Sequence, residues 1–538
     1  MCGIWAVFGS DEDVSVQCHA VHTIGHRGPD AFRIENINHF RNCCLGFHRL
    51  AIVDDIRGMQ PMRLYTRPQI WLIYNGEIYN HRMLDKTYDL SVSTDCDGEP
   101  LIHLYDKLGP EAMAAQLDGV FAFCILDTAN RKVVLGRDTF GVRPLFKLHT
   151  DNGFLAVCSE AKGLFGLSHS MSDDQANIEV FPPGHVEVYD LDLHGRAFLK
   201  SRTRFNRSGQ PPVYKTFVSP DSAVRKRLMS ERRVGCMLSG GLDSSLVAAL
   251  LVKMSKEMGE AYPIQSFAVG MEGSPDLIAA KKVAKYLGTE HHEVIFTPEE
   301  GLEVIPDVIN HLESYDITSV RASVGMYLLS RYIKQKTNTT VVLSGEGSDE
   351  VAQGYIYFHK APSAEEAHKE SLRLLEDLYM FDVLRGDRMT AAWGLEIRVP
   401  FLDHQFTSYY LSLPPETRRP KDGVEKHLLR SAFVDGQLLP HDIVWRPKEA
   451  FSDGVSSVRR SWFQVIQDFC EEQFNDNDLQ EAQNLYPHNT PRTKEALYYR
   501  KTFESKFPNK AAWIPYFWMP RWSTSSDPSA RTLKHYKQ

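Results

Sequence analysis

Cys2 is the residue whose type and position most directly indicate chemistry in this chain. We expect Met1 to be removed because Cys2 is small, which leaves a free α-amine beside the thiol. An α-amine titrates at about pH 7.7–8.0 and a thiol at about 8.5, so one residue supplies nucleophile and base. Amide hydrolysis needs this pair and donors for the oxyanion. A cysteine at position 2 is often incidental, so its neighbours decide the interpretation.

Three short segments follow Cys2 and make this position a candidate active site. They are His26-Arg27-Gly28-Pro29-Asp30, His48-Arg49-Leu50-Ala51-Ile52-Val53-Asp54 and Asn75-Gly76-Glu77-Ile78-Tyr79-Asn80. With Cys2, these segments resemble the class II glutamine amidotransferase domain. The resemblance implies an N-terminal-nucleophile fold of stacked antiparallel sheets.

The same resemblance implies roles for the matching residues. Cys2 would attack the side-chain amide of glutamine, giving a glutamyl thioester and ammonia, with the Asn75 side chain and the Gly76 N–H as the oxyanion hole. Arg49 would clamp the substrate α-carboxylate, which its planar guanidinium suits, and Asp97 would hold the α-ammonium. The other predicted glutamine-binding residues are Leu50, Ala51, Ile52, Val53 and Glu77. Outside this constellation, Arg49 and Asp97 would be interpreted as ordinary ion-pair residues.

His22 and His26 are four residues apart and share one face if this stretch is helical, as metal ligands often do. No cysteine or carboxylate at third-ligand spacing accompanies them, and His26 belongs to the segment His26–Asp30. We therefore predict no metal site there.

The segment Leu238-Ser239-Gly240-Gly241-Leu242-Asp243-Ser244-Ser245 lies between a predicted strand and an amphipathic helix. Its glycines allow the backbone to approach an anion, its serines add hydroxyl donors, and the helix N-terminus adds positive potential. These features predict a phosphate-binding loop, and no Gly-x4-Gly-Lys-Ser/Thr loop occurs in the chain. The segment resembles the pyrophosphate loop of ATP pyrophosphatases, which cleave ATP to AMP and pyrophosphate.

Four further segments follow in the order typical of the asparagine synthetase family, which the chain resembles over essentially its whole length. They are Ser266–Met271, Thr318–Ser323, Leu343–Glu350 and Arg446–Gly454. The resemblance implies asparagine formation from aspartate, glutamine, ATP and water, and a homodimer. It implies nucleotide contacts from Leu238, Ser239, Gly240, Gly241, Asp243, Ser244, Val269, Gly270, Ser344 and Gly345.

Charged side chains within these segments predict the chemistry of adenylation. Asp243 and Asp349 are carboxylates suited to Mg²⁺ that bridges phosphate oxygens. Arg321 and Lys448, with Thr318, would stabilise the departing pyrophosphate. Glu346 would position or deprotonate ammonia as it attacks an acyl-adenylate.

Two departures from the family pattern stand out. Ser319 occupies a position where a second threonine is expected, which preserves a hydroxyl. The stretch from Pro183 to Leu238 is short for the family, which affects the expected connection between domains rather than the chemistry.

The elements that must position these residues form two domains. Short apolar runs separated by Gly, Asn, Asp and Pro predict antiparallel strands at Trp71–Tyr74, Val120–Leu126, Val133–Gly136 and Phe154–Cys158. After a polar linker at 191–220, strands and helices alternate, which predicts a parallel sheet covered by helices and then a helical C-terminal part. We expect an α+β glutaminase domain at 2–190 and an α/β ATP pyrophosphatase-like domain at 221–538. Ser363 and Glu366 match a capping box and predict a helix that continues toward Arg385.

Bulk composition narrows the function classes. The chain has 538 residues, too many for one core, and its net charge of −8 disfavours nucleic acid as a partner. No run approaches the roughly 18–20 apolar residues that span a bilayer, so we expect no membrane role. Nine cysteines without a CxxC pair predict free thiols in a reducing compartment, the cytosol.

Two alternatives stay open. One is glutamine-dependent amidation of a different carboxylate. The other is a non-catalytic scaffold, which the presence of Cys2, Asn75, Asp243, Glu346 and Lys448 disfavours.

Overall fold

A computed structural model describes residues 1–10, 14–37, 40, 43–54, 57–167, 177–213, 220–259, 262–434, 438–448, 451–457, 460–523 and 527–529. Contacts divide the chain into two compact units. Unit 1 comprises Met1–Val218, Lys226–Arg232 and Trp393–Glu396, and unit 2 comprises Ser219–Arg225, Arg233–Ala392 and Ile397–Gln538.

Unit 1 is built on two six-stranded antiparallel sheets. Its strands are β1 (Gly3–Phe8), β2 (Ala31–Asn36), β3 (Cys44–Arg49), β4 (Met62–Leu64), β5 (Arg67–Ile78), β6 (Gly119–Asp127), β7 (Lys132–Arg137), β8 (Phe146–His149), β9 (Leu155–Cys158), β10 (Ile178–Val180), β11 (His185–Leu191) and β12 (Ala197–Arg204). One sheet has the order β10-β8-β9-β1-β3-β2 and the other β12-β11-β7-β6-β5-β4. The helices are α1 (Val14–His22), α2 (His81–Tyr88), α3 (Glu99–Leu108), α4 (Pro110–Gln116) and α5 (Lys162–Phe165).

Buried apolar side chains of the two sheets form one core. Ile4 and Phe47 of the first sheet pack in the same cluster as Ile73 and Leu135 of the second. Cys2 packs against this cluster while remaining partly exposed. A core formed by side chains from both sheets is what two stacked sheets require. The prediction of stacked antiparallel sheets is confirmed.

The range 191–220 differs from the linker expected there. Strand β12 lies within it and pairs with β11, Val186 opposite Thr203. Because β12 is an edge strand and most of its residues are partly or fully exposed, its sequence is polar and resembles a linker. Residues 214–219 of the predicted linker lie outside the described part of the chain.

Unit 2 contains most of a five-stranded sheet with helices around it. The strands are β13 (Arg233–Met237), β14 (Gln265–Gly270), β15 (Glu290–Ile295), β16 (Thr339–Leu343) and β17 (Glu396–Arg398), in the order β15-β14-β13-β16-β17. The pairs β13–β14, β13–β16 and β14–β15 are parallel. The predicted parallel sheet is therefore confirmed, and the loops after its strands lie at one edge.

Unit 2 also contains the α-helices that follow residue 219. They are α6 (Pro220–Arg225), α7 (Leu242–Met258), α8 (Pro275–Leu287), α9 (Pro298–Glu303), α10 (Ile305–Leu312), α11 (Ile317–Lys336), α12 (Ser348–Val351), α13 (Ala364–Asp377), α14 (Asp382–Ala391), α15 (His404–Ser412), α16 (Pro415–Arg418), α17 (His427–Phe433), α18 (His441–Val444), α19 (Phe451–Gly454), α20 (Trp462–Gln473), α21 (Asp476–Leu485) and α22 (Lys494–Lys506). In the described residues, no helix has the length and apolar character needed to cross a membrane.

The helix predicted to run from Ser363 toward Arg385 is interrupted. Ser363 caps α13 by accepting a hydrogen bond from the N–H of Glu366, but α13 ends at Asp377. A 3₁₀ turn follows at Leu378–Met380, and α14 begins at Asp382. Leu378, Met380 and Phe381 are all buried, but in a continuous α-helix Met380 would lie on a different face from Leu378 and Phe381. Tertiary packing therefore overrides the local helical pattern.

Candidate active sites

The backbone pairing of β1 with β3 places Cys2 beside the predicted glutamine segment. Gly3 lies opposite His48 in this antiparallel pair. The N–H of Leu50 donates to Sγ of Cys2 at 3.4 Å, and Sγ lies 3.6 Å from the Leu50 carbonyl oxygen. Cys2 and the segment Arg49–Val53 therefore belong to one site.

The segment His26–Asp30 supports the backbone of this cysteine. Nε of Arg27 donates to the Cys2 carbonyl oxygen at 3.0 Å, and its Nη1 donates to Glu160 at 2.8 Å. Nε2 of His26 lies 3.1 Å from the same carboxylate, whereas the His22 ring packs on Phe32 with centroids 4.6 Å apart. The sequence marked this segment by its family pattern, but only the fold reveals that Arg27 holds the nucleophile.

The ionisation of Cys2 depends on its burial and its charged neighbours. Burial raises the pKa of the Cys2 thiol, while the N-terminal ammonium and the Leu50 N–H lower it. Burial also lowers the pKa of the Met1 amine, which lies 3.7 Å from Oε2 of Glu396. A thiol whose pKa is raised needs an adjacent base, a task that the α-amine of Cys2 suits once Met1 is removed.

Asn75 and Gly76 have the features of an oxyanion hole. Asn75 is fully buried on β5, and among the described residues neither atom of its side-chain amide has a hydrogen-bond partner. Leaving a buried amide without a partner costs about 1–3 kcal/mol, so such a group indicates a ligand. Gly76 has φ +147°, and a Cβ there would lie 2.0 Å from the Val120 carbonyl oxygen. Only glycine therefore fits beside Asn75.

Asp97 is tied to the same strand. Its carboxylate accepts hydrogen bonds from the Tyr74 hydroxyl at 2.6 Å and from the Ile78 N–H at 2.7 Å. These two residues flank the segment Asn75–Glu77 on β5. The fold therefore brings Asp97 to the segment that carries Asn75 and Gly76, and it adds Tyr74, which no sequence pattern marked.

Hydrogen bonds at Arg49, Ala51 and Ile52 hold the segment Arg49–Val53. An Nη atom of Arg49 donates to the carbonyl oxygen of Asp54. Nε of Arg232 donates to the Ala51 carbonyl oxygen at 2.8 Å, and the Glu231 N–H donates to the Ile52 carbonyl oxygen at 2.8 Å. All of these residues belong to unit 1.

The predicted phosphate loop connects β13 to α7 in unit 2. Gly240 has φ +73°, and a Cβ there would lie 2.4 Å from the backbone nitrogen of Ala280. The Ser244 hydroxyl accepts from the Ser239 N–H at 3.1 Å, which keeps the loop tight. Because α7 has 17 residues and begins at Leu242, its N-terminal N–H groups and dipole are directed toward the loop.

A cavity in unit 2 brings together most of the synthetase residues that the sequence predicts. Its lining includes Leu238, Ser239, Gly241, Asp243, Ser244, Val269, Thr318, Arg321, Ser344, Gly345, Glu346, Asp349 and Lys448. Gly240 and Gly270 are not part of the lining; a Cβ on Gly270 would lie 2.6 Å from the Ser274 hydroxyl. The hydroxyl of Thr318 is buried without a hydrogen-bond partner among the described residues, which indicates a ligand at this wall.

Two lysines neutralise the carboxylates proposed for Mg²⁺. Lys426, which is buried, contacts Asp243 at 2.5 Å and Asp349 at 2.6 Å, and Lys448 contacts Asp349 at 2.6 Å. Burial alone would raise the pKa of Asp349, but Lys426 and Lys448 lower it below its usual range. Asp349 is therefore ionised at neutral pH. No local pattern marked Lys426, which sequence reasoning missed.

Glu346 lies in a second charged group on the cavity wall. Burial raises the pKa of Glu346 to about 7, against the opposing effect of Arg385. Nη2 of Arg385 contacts Oε2 of Glu346 at 2.9 Å and also bonds Asp382. A carboxyl with a pKa near neutrality is suited to accept and return protons at physiological pH.

Arg321 has a different environment from the one expected of a phosphate-binding residue. Its Nη2 atom lies 2.6 Å from Glu495 and 2.8 Å from Asp527. Although Arg321 lines the cavity, two carboxylates already balance its charge. Its direct role in neutralising pyrophosphate is therefore weaker than the sequence predicts.

Comparisons with known proteins agree with this pair of sites. The family model described as "Glutamine amidotransferase domain" matches residues 1–188, and the model "Asparagine synthase" matches 221–367 and 360–532. "Asparagine synthetase [glutamine-hydrolyzing]" from Gallus gallus is 58% identical over 557 residues, covering 100% of this chain and 99% of that protein. The proteins with this name from Bos taurus and Homo sapiens are 57% and 56% identical, with the same coverage. The alignments span more positions than the 538 residues of this chain, so the relatives carry residues that it lacks.

Proposed function

The chain belongs to the asparagine synthetase family, and we propose that it makes asparagine from aspartate, glutamine, ATP and water. Glutamate, AMP and pyrophosphate are the other products. The observation that carries the proposal is the presence of two different sites in one chain. One lies in unit 1, which contains Cys2 and the buried Asn75 amide, unpartnered among the described residues; the other is a cavity in unit 2 built around a phosphate loop.

Residues 2–190 form the glutaminase domain in this proposal. The α-amine of Cys2 takes the thiol proton, and Sγ attacks the side-chain carbonyl carbon of glutamine. Asn75 and the Gly76 N–H donate to the oxyanion, and Arg49 and Asp97 hold the α-carboxylate and α-ammonium. The C–N bond breaks, the leaving nitrogen takes the proton, and ammonia departs. Water then hydrolyses the thioester, which releases glutamate and restores the thiol.

Residues 221–538 form the synthetase domain. A β-carboxylate oxygen of aspartate attacks the α-phosphorus of ATP, which gives β-aspartyl-AMP and releases pyrophosphate. The loop Ser239–Ser244 and Lys448 stabilise the pyrophosphate charge. Ammonia attacks the acyl carbon, Glu346 accepts a proton from the attacking nitrogen, and AMP leaves with the carboxylate oxygen. Asparagine is then complete.

The residues around Asp243 and Asp349 fit Mg²⁺ that arrives with ATP. One or two carboxylates plus substrate phosphates are a common ligand set for this ion. Bound there, Mg²⁺ would neutralise phosphate charge. Lys426 keeps the two carboxylates close together, since it contacts both of them. We assign the role of Arg321 to positioning, because its guanidinium is bonded to Glu495 and Asp527.

The expected compartment and assembly are part of the proposal. All nine cysteines are free, which supports a reducing compartment such as the cytosol. A homodimer is expected from the family resemblance, and light scattering on the purified protein tests it.

An isotope experiment tests the synthetase chemistry. Aspartate labelled with ¹⁸O in its β-carboxylate is incubated with ATP, Mg²⁺ and glutamine. The proposal predicts asparagine and one ¹⁸O atom in each AMP, because the acyl oxygen leaves with AMP. Unlabelled AMP would contradict the adenylate mechanism, and ¹⁸O-free turnover of ATP to ADP would contradict the assigned reaction.

A further inference from the structure

We propose that Asp527 is a positioning residue for the synthetase reaction, because it holds Pro528 and Ser529 in the wall of the cavity through Arg321. The expected change in KM rests on the proposed function. The expected change in ATP affinity rests only on the cavity. Pro528 and Ser529 both belong to the lining.

The contact between Arg321 and Asp527 is bidentate. Nη1 of Arg321 donates to Oδ1 of Asp527 at 2.9 Å, and Nη2 donates to Oδ2 at 2.8 Å. Two parallel N–H···O bonds fix orientation as well as distance. The two residues are 206 positions apart in the chain, so this pair anchors the C-terminal segment to α11.

Arg321 is itself fixed by a second carboxylate. Its Nε donates to Oε1 of Glu495 at 2.7 Å, and its Nη2 donates to Oε2 at 2.6 Å. Glu495 lies in the first turn of α22. The indole N–H of Trp462 donates to the Arg321 carbonyl oxygen at 3.2 Å. Arg321 is therefore a rigid support rather than a mobile cation.

Asp527 also forms hydrogen bonds that fix the two residues after it. Its Oδ1 accepts from the backbone N–H of Ser529 at 2.8 Å, and its Oδ2 accepts from Nε2 of Gln467 at 3.2 Å. Pro528 between them has a fixed φ. The short segment Asp527–Ser529 therefore has little freedom while the carboxylate is bound.

A second anchor comes from the start of the same helix. Asp316 caps α11, and its Oδ2 accepts from the N–H of Trp518 at 2.8 Å. Trp518 and Pro520 also line the cavity. Helix α11 carries Thr318, whose hydroxyl is buried and unpartnered among the described residues. One helix thus positions both a candidate ligand contact and the C-terminal wall, so movement of that wall is expected to alter substrate binding.

Four variants test the role of Asp527. Asp527→Asn removes the charge, Asp527→Glu preserves it, and Pro528→Gly loosens the wall without changing the ion pair. Asp468→Asn is the matched control, because Asp468 lies on α20 and pairs with Arg460 on the surface. For each, we would measure ATP affinity by titration of the thermal midpoint, KM for ATP and aspartate, kcat, and glutamine hydrolysis.

The proposal predicts a KM for ATP or aspartate about tenfold higher in Asp527→Asn, with partial recovery in Asp527→Glu. Pro528→Gly shifts the same constant in the same direction by a smaller factor. Glutamine hydrolysis stays at the wild-type rate in every variant, which separates positioning from misfolding. Asp468→Asn is unchanged.

Two results have different meanings. If Asp527→Asn and Pro528→Gly keep ATP affinity and both KM values within twofold of wild type, the positioning role is wrong. If wild-type protein makes no asparagine but Asp527→Asn still weakens ATP affinity, the wall is correctly assigned and the proposed reaction is wrong.

Discussion

The Sγ atom of Cys2 lies 3.4 Å from the backbone nitrogen of Leu50, which donates a hydrogen bond to it. Leu50 follows Arg49 at the end of β3, so the nucleophile and the predicted carboxylate clamp are neighbours by backbone register. The pairing of Gly3 with His48 is a backbone contact and does not depend on side-chain rotamers. It explains why a residue at the start of the chain and a segment near position 50 act at one site.

Removal of the Asn75 amide tests the oxyanion hole. We expect Asn75→Ala to lower the kcat of glutamine hydrolysis by about 10²–10³-fold, because one donor to the oxyanion is lost. Asparagine formation from added ammonium should stay at the wild-type rate, which serves as the internal control for folding. Equal loss of both activities would contradict the assignment.

Arg232 supports the glutamine segment through the Ala51 carbonyl oxygen. We expect Arg232→Ala to raise the KM for glutamine several-fold and to change kcat little, since the Cys2 contacts remain. Steady-state glutaminase assays measure both constants. The matched control is Arg225→Ala, because Arg225 forms a surface ion pair with Glu257. A change in kcat alone would contradict this role.

Lys426 is buried and contacts two partly exposed carboxylates, Asp243 and Asp349, so its loss leaves their charges less well compensated. We expect Lys426→Met to reduce the free energy of unfolding by about 1.5–3 kcal/mol and to abolish adenylation. Lys369→Met removes a surface pair with Glu366 and should leave the free energy of unfolding nearly unchanged. Denaturant unfolding gives both values. Comparable stability of the two variants would show that the network is not structural.

The pKa of Glu346, raised to about 7 by burial, predicts a pH dependence of the synthetase step. Only the ionised carboxylate accepts a proton from ammonia, so AMP formation should fall as the pH drops through about 7. The negative charge of Asp382 also raises this pKa, so Asp382→Asn should move the inflection to lower pH. Glutaminase rates at each pH provide the control. An inflection that Asp382→Asn leaves in place would contradict the assignment of the base.

The raised pKa of Glu346 also makes the free energy of unfolding depend on pH. A carboxyl with a raised folded-state pKa binds more protons in the folded chain than in the unfolded chain. Its stabilising contribution is therefore complete below the unfolded pKa of about 4.3 and is lost as the pH rises through about 7.

Many strands and helix ends could be predicted from short stretches of the sequence. The apolar runs at Trp71–Tyr74 and Val120–Leu126 lie inside β5 and β6, and Gly288 ends α8 in the left-handed conformation. These features depend on alternation, helical periodicity and turn residues, which short windows contain. The break between α13 and α14 depends on tertiary packing and could not be predicted from such windows.

In the candidate sites too, residues within contiguous motifs could be predicted, whereas contacts between distant positions could not. Cys2, Asn75 and the loop Ser239–Ser244 lie in contiguous motifs, so the sequence indicated them. Lys426 and Asp243 are 183 positions apart, and no motif links them. The partners of Arg321 are likewise distant in the chain, so its balanced charge became visible only in the fold.

The most direct test of the central claim is nitrogen transfer from glutamine. Amide-¹⁵N glutamine, aspartate, ATP and Mg²⁺ are incubated with wild-type protein and with Cys2→Ala, and ¹⁵N-asparagine and AMP are measured. We predict equal amounts of labelled asparagine and AMP from wild type, and neither from Cys2→Ala. Unlabelled ammonium added to Cys2→Ala should restore AMP formation and give asparagine without ¹⁵N. Glutamate released without asparagine or AMP, or labelled asparagine from Cys2→Ala, would contradict the account.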